Sequence, residues 1–172
     1  IMAFYNITGG VGETAACVNL AYLAAAGGAA TLLCDLDPQG AASFYFRISA
    51  APTFDSRKFL KGGRKIAKNI KGTDFEGLDL LPSDLSFRHL DLLLDDRRRP
   101  RRRLGELLRP LAEAYRYIFL DCPPNITLVS ENVFRAADAV FVPVIPTVLA
   151  LRTFDQLHGF FRRKGYDPGH LH

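Results

Sequence analysis
An α/β domain with a mostly parallel central sheet and helices on both faces is the fold class that the sequence predicts. Three observations lead there. Short apolar runs alternate with helix-patterned segments along the chain, no internal repeat or linker interrupts them, and four of the apolar runs end in loops of functional type. Strands separated by helices are parallel, because the connecting helix must carry the chain back to the starting edge. Such sheets are covered on both faces, and ligands bind at the carboxyl ends of their strands.

Each element follows from its own residues. Met2 to Tyr5 is the first apolar run, and the loop Asn6 to Gly12 follows it. Ala15 to Ala26 is Ala-rich and helical, ended by Gly27 and Gly28. Thr31 to Cys34 is the next strand, closed by Asp35-Leu36-Asp37-Pro38, and residues 47 to 77 are irregular and rich in Lys and Gly. Leu78 to Leu81 is a strand stopped by Pro82, after which Ser83 or Asp84 caps a helix through Leu94. A helix from about Leu104 to Ala114 precedes the buried strand Tyr117 to Leu120. Ser130 to Ala137 is helical, Ala139 to Val144 is a strand stopped by Pro146, and Leu151 to Lys164 is the closing amphipathic helix. On that helix Leu151, Phe154, Leu157 and Phe161 fall on one face, the spacing of a core-packing helix.

Composition sets outer limits. At 172 residues, 48% hydrophobic and 23% charged, the chain matches one ordinary globular domain spanning 1–172 and not a disordered one. Its net charge of +4 comes from six arginines in one stretch, Arg97, Arg98, Arg99, Arg101, Arg102 and Arg103; without them the balance is negative. The basicity is local, which excludes a chain-wide nucleic-acid coat. Cys17, Cys34 and Cys122 have no metal-ligand spacing and read as buried thiols in a reducing cytosol, so a cytoplasmic location is expected. No apolar run reaches the length of a membrane span, and no signal peptide is visible. The chain begins with Ile1 ahead of Met2 and stops just past a helix, so we expect a fragment, or a naturally short version of something larger.

The segment Asn6-Ile7-Thr8-Gly9-Gly10-Val11-Gly12-Glu13-Thr14-Ala15 lies between a strand and a helix. Glycines there let backbone N–H groups turn toward one point, and the helix N-terminus adds partial positive charge, making an anion cradle. Two templates compete. Gly10-Val11-Gly12-Glu13-Thr14-Ala15 fits G-x-G-x-x-A, the dinucleotide fingerprint, with Asp35 available for a ribose; this would make an oxidoreductase domain. The phosphate-binding loop instead uses Thr14 as a magnesium-binding hydroxyl but wants a lysine where Glu13 stands. The loop alone does not choose between them.

Two further strand ends do. Asp35-Leu36-Asp37-Pro38-Gln39-Gly40 and Leu120-Asp121-Cys122-Pro123-Pro124 both follow buried strands. In this order and spacing, the three segments resemble the ParA/MinD/Soj group of deviant Walker ATPases, whose motifs read K-G-G-V-G-K-T-T, D-x-D-P-Q-G and D-x-P-P. Val142 to Thr147 and Leu149 to Leu151 also resemble the group's later strand and the turn beside the adenine. The resemblance covers most of the chain. It implies a three-layer P-loop NTPase-like α/β domain, short at its C-terminal end.

It also implies roles. Gly9, Gly10, Val11, Gly12, Glu13, Thr14 and Ala15 would wrap the phosphates of ATP, and Pro146 and Thr147 would lie by the base. Thr14 and Asp121 would hold Mg²⁺, with Asp35 supporting the metal shell, and Asp37 would position the attacking water. Partners implied are a second copy of the chain, non-specific DNA and a partner protein; a membrane-targeting tail is not visible. The departure lies in the two lysines that the group carries in this loop, one at position 13 on the β- and γ-phosphates and one at position 8 that reaches across a dimer. Here they are Thr8 and Glu13, so one positive charge is lost and another is reversed. The expectation is a degenerate ATPase of the partitioning or cargo-positioning type with ATP binding and hydrolysis impaired. The alternative is a non-hydrolysing module that binds a protein partner or DNA. Arg47 or Lys58 could restore the missing charge, or Glu13 could turn aside.

The arginine run, broken by Pro100, reads as an exposed loop balanced by Asp91, Asp95 and Asp96, or as a contact for phosphate backbone. The four histidines do not cluster, which argues against a metal site of their own.

Overall fold
Thr31–Asp35 is buried at every position, as a strand covered on both faces by helices must be. The computed structural model describes residues 1–97 and 99–172; Arg98, one of the expected polyanion contacts, lies outside the described residues. Among the described residues six strands form one sheet: β1 (Met2–Phe4), β2 (Thr31–Asp35), β3 (Lys71–Gly72), β4 (Leu78–Leu81), β5 (Tyr117–Asp121) and β6 (Ala139–Phe141). Their order is β3-β4-β2-β5-β1-β6, and every pairing is parallel except the short antiparallel edge β3–β4. At the opposite edge the last residues run beside β6, where His172 exchanges backbone hydrogen bonds with Val140 and Val142.

The helices are α1 (Glu13–Ala26), α2 (Ala41–Tyr45), α3 (Ser56–Lys61), α4 (Arg64–Ala67), α5 (Leu90–Asp95), α6 (Arg103–Leu108), α7 (Leu128–Ala136) and α8 (Val148–Lys164). Alternation along the strands divides the core in two. Phe4, Leu33, Leu80 and Phe119 pack with Cys17, Ala21 and Ala25 of α1 and with Ala42 of α2. Ala3, Leu32, Cys34, Ile118 and Leu120 face the other layer, with Phe59, Leu94, Leu108, Val133, Leu157 and Phe161 from α3 and from α5 to α8. All three cysteines are buried and free. This is the expected three-layer α/β arrangement.

Several boundaries differ from the sequence reading, each for a local reason. Asp84 does cap, accepting from Ser86 N at 2.9 Å, but it opens a 3-10 turn over Leu85–His89 before α5. The helix expected to reach Ala114 is α-helical only to Leu108, because Pro110 has no N–H to continue the ladder; Arg109–Glu113 is a 3-10 turn. The sixth strand stops at Phe141, and α8 starts at Val148 with Thr147 Oγ1 accepting from Ala150 N at 3.2 Å. Leu151 is 69% exposed and does not share the buried face of Leu157 and Phe161. The irregular stretch 47–77 contains α3, α4 and β3, elements too short to leave a periodic signature.

Gly62 ends α3 at φ 74°, and a Cβ there would lie 2.5 Å from Leu107 Cδ2 of α6. Gly62→Ala therefore adds a backbone penalty to an overpacked contact, with an expected loss of about 2–3 kcal/mol in urea unfolding. An unchanged midpoint would mean that α3 and α6 are not held this closely.

Candidate functional site
Parallel register brings three strand ends level. Asp121, the last residue of β5, pairs with Phe4 of β1 on one side and Asp35 of β2 on the other. The chain beyond each strand therefore leaves from one edge of the sheet, and the glycine loop, the Asp35–Gly40 turn and the Cys122–Pro124 turn converge there. Leu36 N donates to Asp121 O at 2.9 Å, and Gly9 packs near Pro124.

The glycine loop is held from below by Asn6. Its Oδ1 accepts from Thr8 N at 2.8 Å, and its Nδ2 donates to Pro143 O at 2.6 Å, tying the loop to the segment that leads to Pro146 and Thr147. Gly10 and Gly12 adopt φ of 82° and 94°, values that L side chains rarely take, and open space lies where a Cβ would stand. The loop thus passes through two left-handed glycine positions directly ahead of the first turn of α1, a backbone form that suits an anion cradle. Ala15 sits exposed in that first turn.

Thr14 Oγ1 donates to Asp121 Oδ1 at 3.1 Å. Asp121 is fully buried, and its Oδ2 has no hydrogen-bond partner among the described residues. Burial first, and then the charge of Asp35, push its pKa from 3.8 up to about 7. A buried carboxylate oxygen without a donor beside a threonine hydroxyl is a position that a divalent cation fits.

Asp35 is also fully buried, but both of its oxygens are engaged. Oδ2 accepts from Ser43 N and Oγ at 2.8 and 2.6 Å, and Oδ1 accepts from Asp37 N at 3.2 Å. Burial raises its pKa to about 6 against the opposing pull of these donors. Asp35 thus anchors α2 and shapes the turn that presents Asp37. Asp37 Oδ1 accepts from Gln39 N at 2.8 Å, and Ser83 Oγ donates to the Asp37 carbonyl. The sequence gives Ser43 and Asn6 no role and offers Ser83 only as a helix cap; the bonds that place them are visible only once β4 lies beside β2 and β6 beside β1.

Glu13 is 8% exposed at the first position of α1. Burial raises its pKa; its own backbone N–H favours the charged form, and the Asp37 charge opposes it. Its field also reaches Tyr5 and Asp121. Its carboxyl therefore lies among the acids of the site, and among the described residues no Lys or Arg forms an ion pair with it. Lys58 donates to the Thr53 carbonyl, and Arg47 lines a cleft beside Gln39, Gly40 and Ser83 on the Asp37 side. The backbone cradle and the Thr14–Asp121 pair fit a magnesium-bound polyphosphate, whereas the charge of Glu13 opposes one.

Pro146 and Thr147 are exposed at the start of α8. Arg97, Arg99, Arg101 and Arg102 are exposed, whereas Arg103 is half-buried in α6. Among the described residues no ion pair joins the run to Asp91, Asp95 or Asp96. Arg101 pairs with Glu131 of α7 at 2.8 Å, Arg103 pairs with Glu106 at 3.1 Å, and Asp91 accepts from Val129 N at 2.9 Å. Among the described residues no helix is long and apolar enough to cross a membrane.

Comparison with known proteins fits this geometry. A family model described as an AAA domain matches residues 1–164. The chromosome partitioning protein ParA of Myxococcus xanthus is 36% identical over 160 residues, covering 91% of this chain and 56% of that protein. The chain thus spans little more than half the length of this curated relative. A plasmid partition protein from Borrelia burgdorferi superimposes with a TM-score of 0.84 at 27% identity, over 94% of this chain and 73% of the other. Cobyrinic acid a,c-diamide synthase from Mycobacterium smegmatis, solved with bound ADP and magnesium, gives 0.85 at 27% identity, over 94% and 66% of the two chains.

The acids at the strand ends carry a pH signature. With its folded pKa near 7 against 3.8, Asp121 binds its proton more tightly in the native state. Its contribution to stability is full below pH ~4 and is lost as pH rises toward 7. Asp121→Asn should remove the larger share of this slope, leaving the smaller share of Asp35, and should stabilise the metal-free protein above pH 7 by on the order of 2 kcal/mol. Adding Mg²⁺ at pH 8 should raise the melting temperature of the wild type and not of Asp121→Asn. Parallel pH–stability curves for the two proteins would contradict the assignment.

Proposed function
Because the chain belongs to the ParA/Soj family of P-loop ATPases, we propose that it is a partitioning or cargo-positioning protein of the ParA type in which ATP binding and hydrolysis are impaired. One observation carries the reading: position 13 of the glycine loop holds Glu13, a buried carboxyl with no ion-pair partner among the described residues, where a phosphate-binding loop provides a cation.

Bound nucleotide would supply the γ-phosphoryl group, and Mg²⁺ would neutralise its charge. In this reading the N–H groups of Gly9 to Ala15 receive the phosphates, and Pro146 and Thr147 lie by the base. Thr14 and Asp121 hold the metal, and Asp35 supports its shell by keeping the turn in place. Asp37 orients water through a carboxyl steadied by Gln39 N. Phosphoryl transfer depends on positioning and charge neutralisation, so a misplaced charge is the serious defect. A unit pair ~4 Å apart at an effective dielectric of ~20 is worth ~4 kcal/mol. With Glu13 facing the phosphates, replacing attraction by repulsion at position 13 costs several kcal/mol, and each ~1.4 kcal/mol is tenfold in affinity. Thr8 removes a second cation, the one that would reach a partner copy in a dimer. The partners in this reading are a second copy of the chain, a partner protein and non-specific DNA.

A second reading, a non-hydrolysing module of the same fold that binds a protein partner, is favoured by exposed apolar residues. Val144, Ile145, Val148, Leu149 and Leu151 are exposed together at the start of α8, and Phe44 beside the Asp37 turn is 83% exposed.

Titration calorimetry with ATP·Mg²⁺ separates these outcomes. The wild type should bind more weakly than micromolar without steady turnover, and Thr8→Lys with Glu13→Lys should tighten binding at least 100-fold. Sub-micromolar binding with turnover in the wild type would overturn the impaired reading. An inert double variant would place the lesion elsewhere.

A further inference from the structure
Members of the arginine run have different partners. Arg101 Nε donates to Glu131 at 2.8 Å, and Arg103 donates to the Leu60 carbonyl through Nε and Nη2 at 3.1 and 2.7 Å. Asn132 of α7 fastens the same loop: its Nδ2 donates to Pro100 O at 2.6 Å, and its Oδ1 accepts from Leu104 N at 3.1 Å. Arg99 and Arg102 instead line a cleft of about 590 Å³ together with Arg109 and with Arg135 from the last turn of α7. The one carboxylate in the lining, Glu106, is already engaged by Arg103 Nη1 at 3.1 Å. Among the described residues none of the four lining arginines forms an ion pair.

Four guanidinium groups gathered around one hollow with a single, already engaged carboxylate repel one another, and a bound anion offsets that cost. Their planar forks suit phosphate oxygens. The guanidinium of Arg135 is steadied over the Tyr166 ring at 5.0 Å, so part of the site is ordered in advance. A second hollow of about 290 Å³ adjoins the first and shares Arg99, Arg102 and Arg135 with it. Three cations serving two neighbouring hollows match an anion with more than one phosphate.

We propose that this cleft binds a compact oligophosphate, a chain of two or more linked phosphate groups, at a site separate from the glycine cradle. The separation follows from α7. Its first turn comes shortly after the Cys122–Pro124 turn in the chain, and Arg135 lies in its last turn, about 10 Å further along the helix axis. Concavity and a volume within the usual ~300–1,000 Å³ of small-ligand sites favour a compact ligand over a duplex, which needs a ridge of outward cations. The proposal is independent of whether ATP binds at Glu13.

Calorimetry of the full chain with inorganic tripolyphosphate, in low salt without Mg²⁺, tests it. Arg102→Ala with Arg135→Ala should weaken binding at least tenfold. Lys71→Ala with Arg152→Ala removes the same charge elsewhere and should leave binding within twofold. ADP titrated into the same variants distinguishes a nucleotide-borne diphosphate, whose binding also falls in the cleft variant, from a free oligophosphate, whose binding alone falls. Equal losses in the two double variants would reduce the effect to net charge and overturn the proposal. So would orthophosphate binding as tightly as tripolyphosphate, or a short DNA duplex displacing tripolyphosphate at lower concentration. Both variants carry exposed substitutions, and a circular dichroism spectrum matching the wild type verifies that a loss is local.

Discussion
The level register of β1, β5 and β2 is the constraint on which the rest depends. It sets Phe4, Asp121 and Asp35 side by side, so that three loops distant in sequence leave from one point. A slip of one residue would turn Asp121 and Asp35 to the other face of the sheet and exchange the two halves of the core. The register is secured by that core: Phe4 stacks against Phe119 and Phe141 on one face, while Ala3, Leu32 and Leu120 are sealed beneath the other helical layer.

That constraint carries a cost at the strand ends. Two fully buried carboxylates sit on adjacent strands, and each pushes up the affinity of the site for protons. Asp35 is compensated by donors from Ser43 and from the Asp37 backbone, whereas Asp121 keeps an oxygen with no donor among the described residues. The first is thereby a structural anchor, and the second is the less compensated of the two burials. Glu13 adds a further negative charge to this neighbourhood, where a phosphate-binding loop ordinarily provides a positive one.

Much of this was legible in the residues. The order of strands and helices, the helical layers and the three motif loops follow from apolar runs, glycines and aspartates at strand ends. Short elements were not, because α3, α4 and β3 contain too few residues for a period to show. Boundaries set by missing donors, such as the α6 end before Pro110, were misplaced by several residues. The supporting roles of Asn6, Ser43 and Ser83 are not legible in the sequence, because each acts on a backbone or side-chain group far away in sequence or across a loop.

The sequence by itself determined the family, the class of fold and the identity of the two missing lysines, since these reside in residue types and spacings along the chain. Tertiary structure alone decided where charges meet. It placed the Glu13 carboxyl among the acids and away from any arginine or lysine able to pair with it among the described residues. It also divided the arginine run into members tied to Glu131 and Leu60 and members gathered with Arg109 and Arg135. Electrostatic interaction depends on distance and burial, and neither is a property of position along a chain.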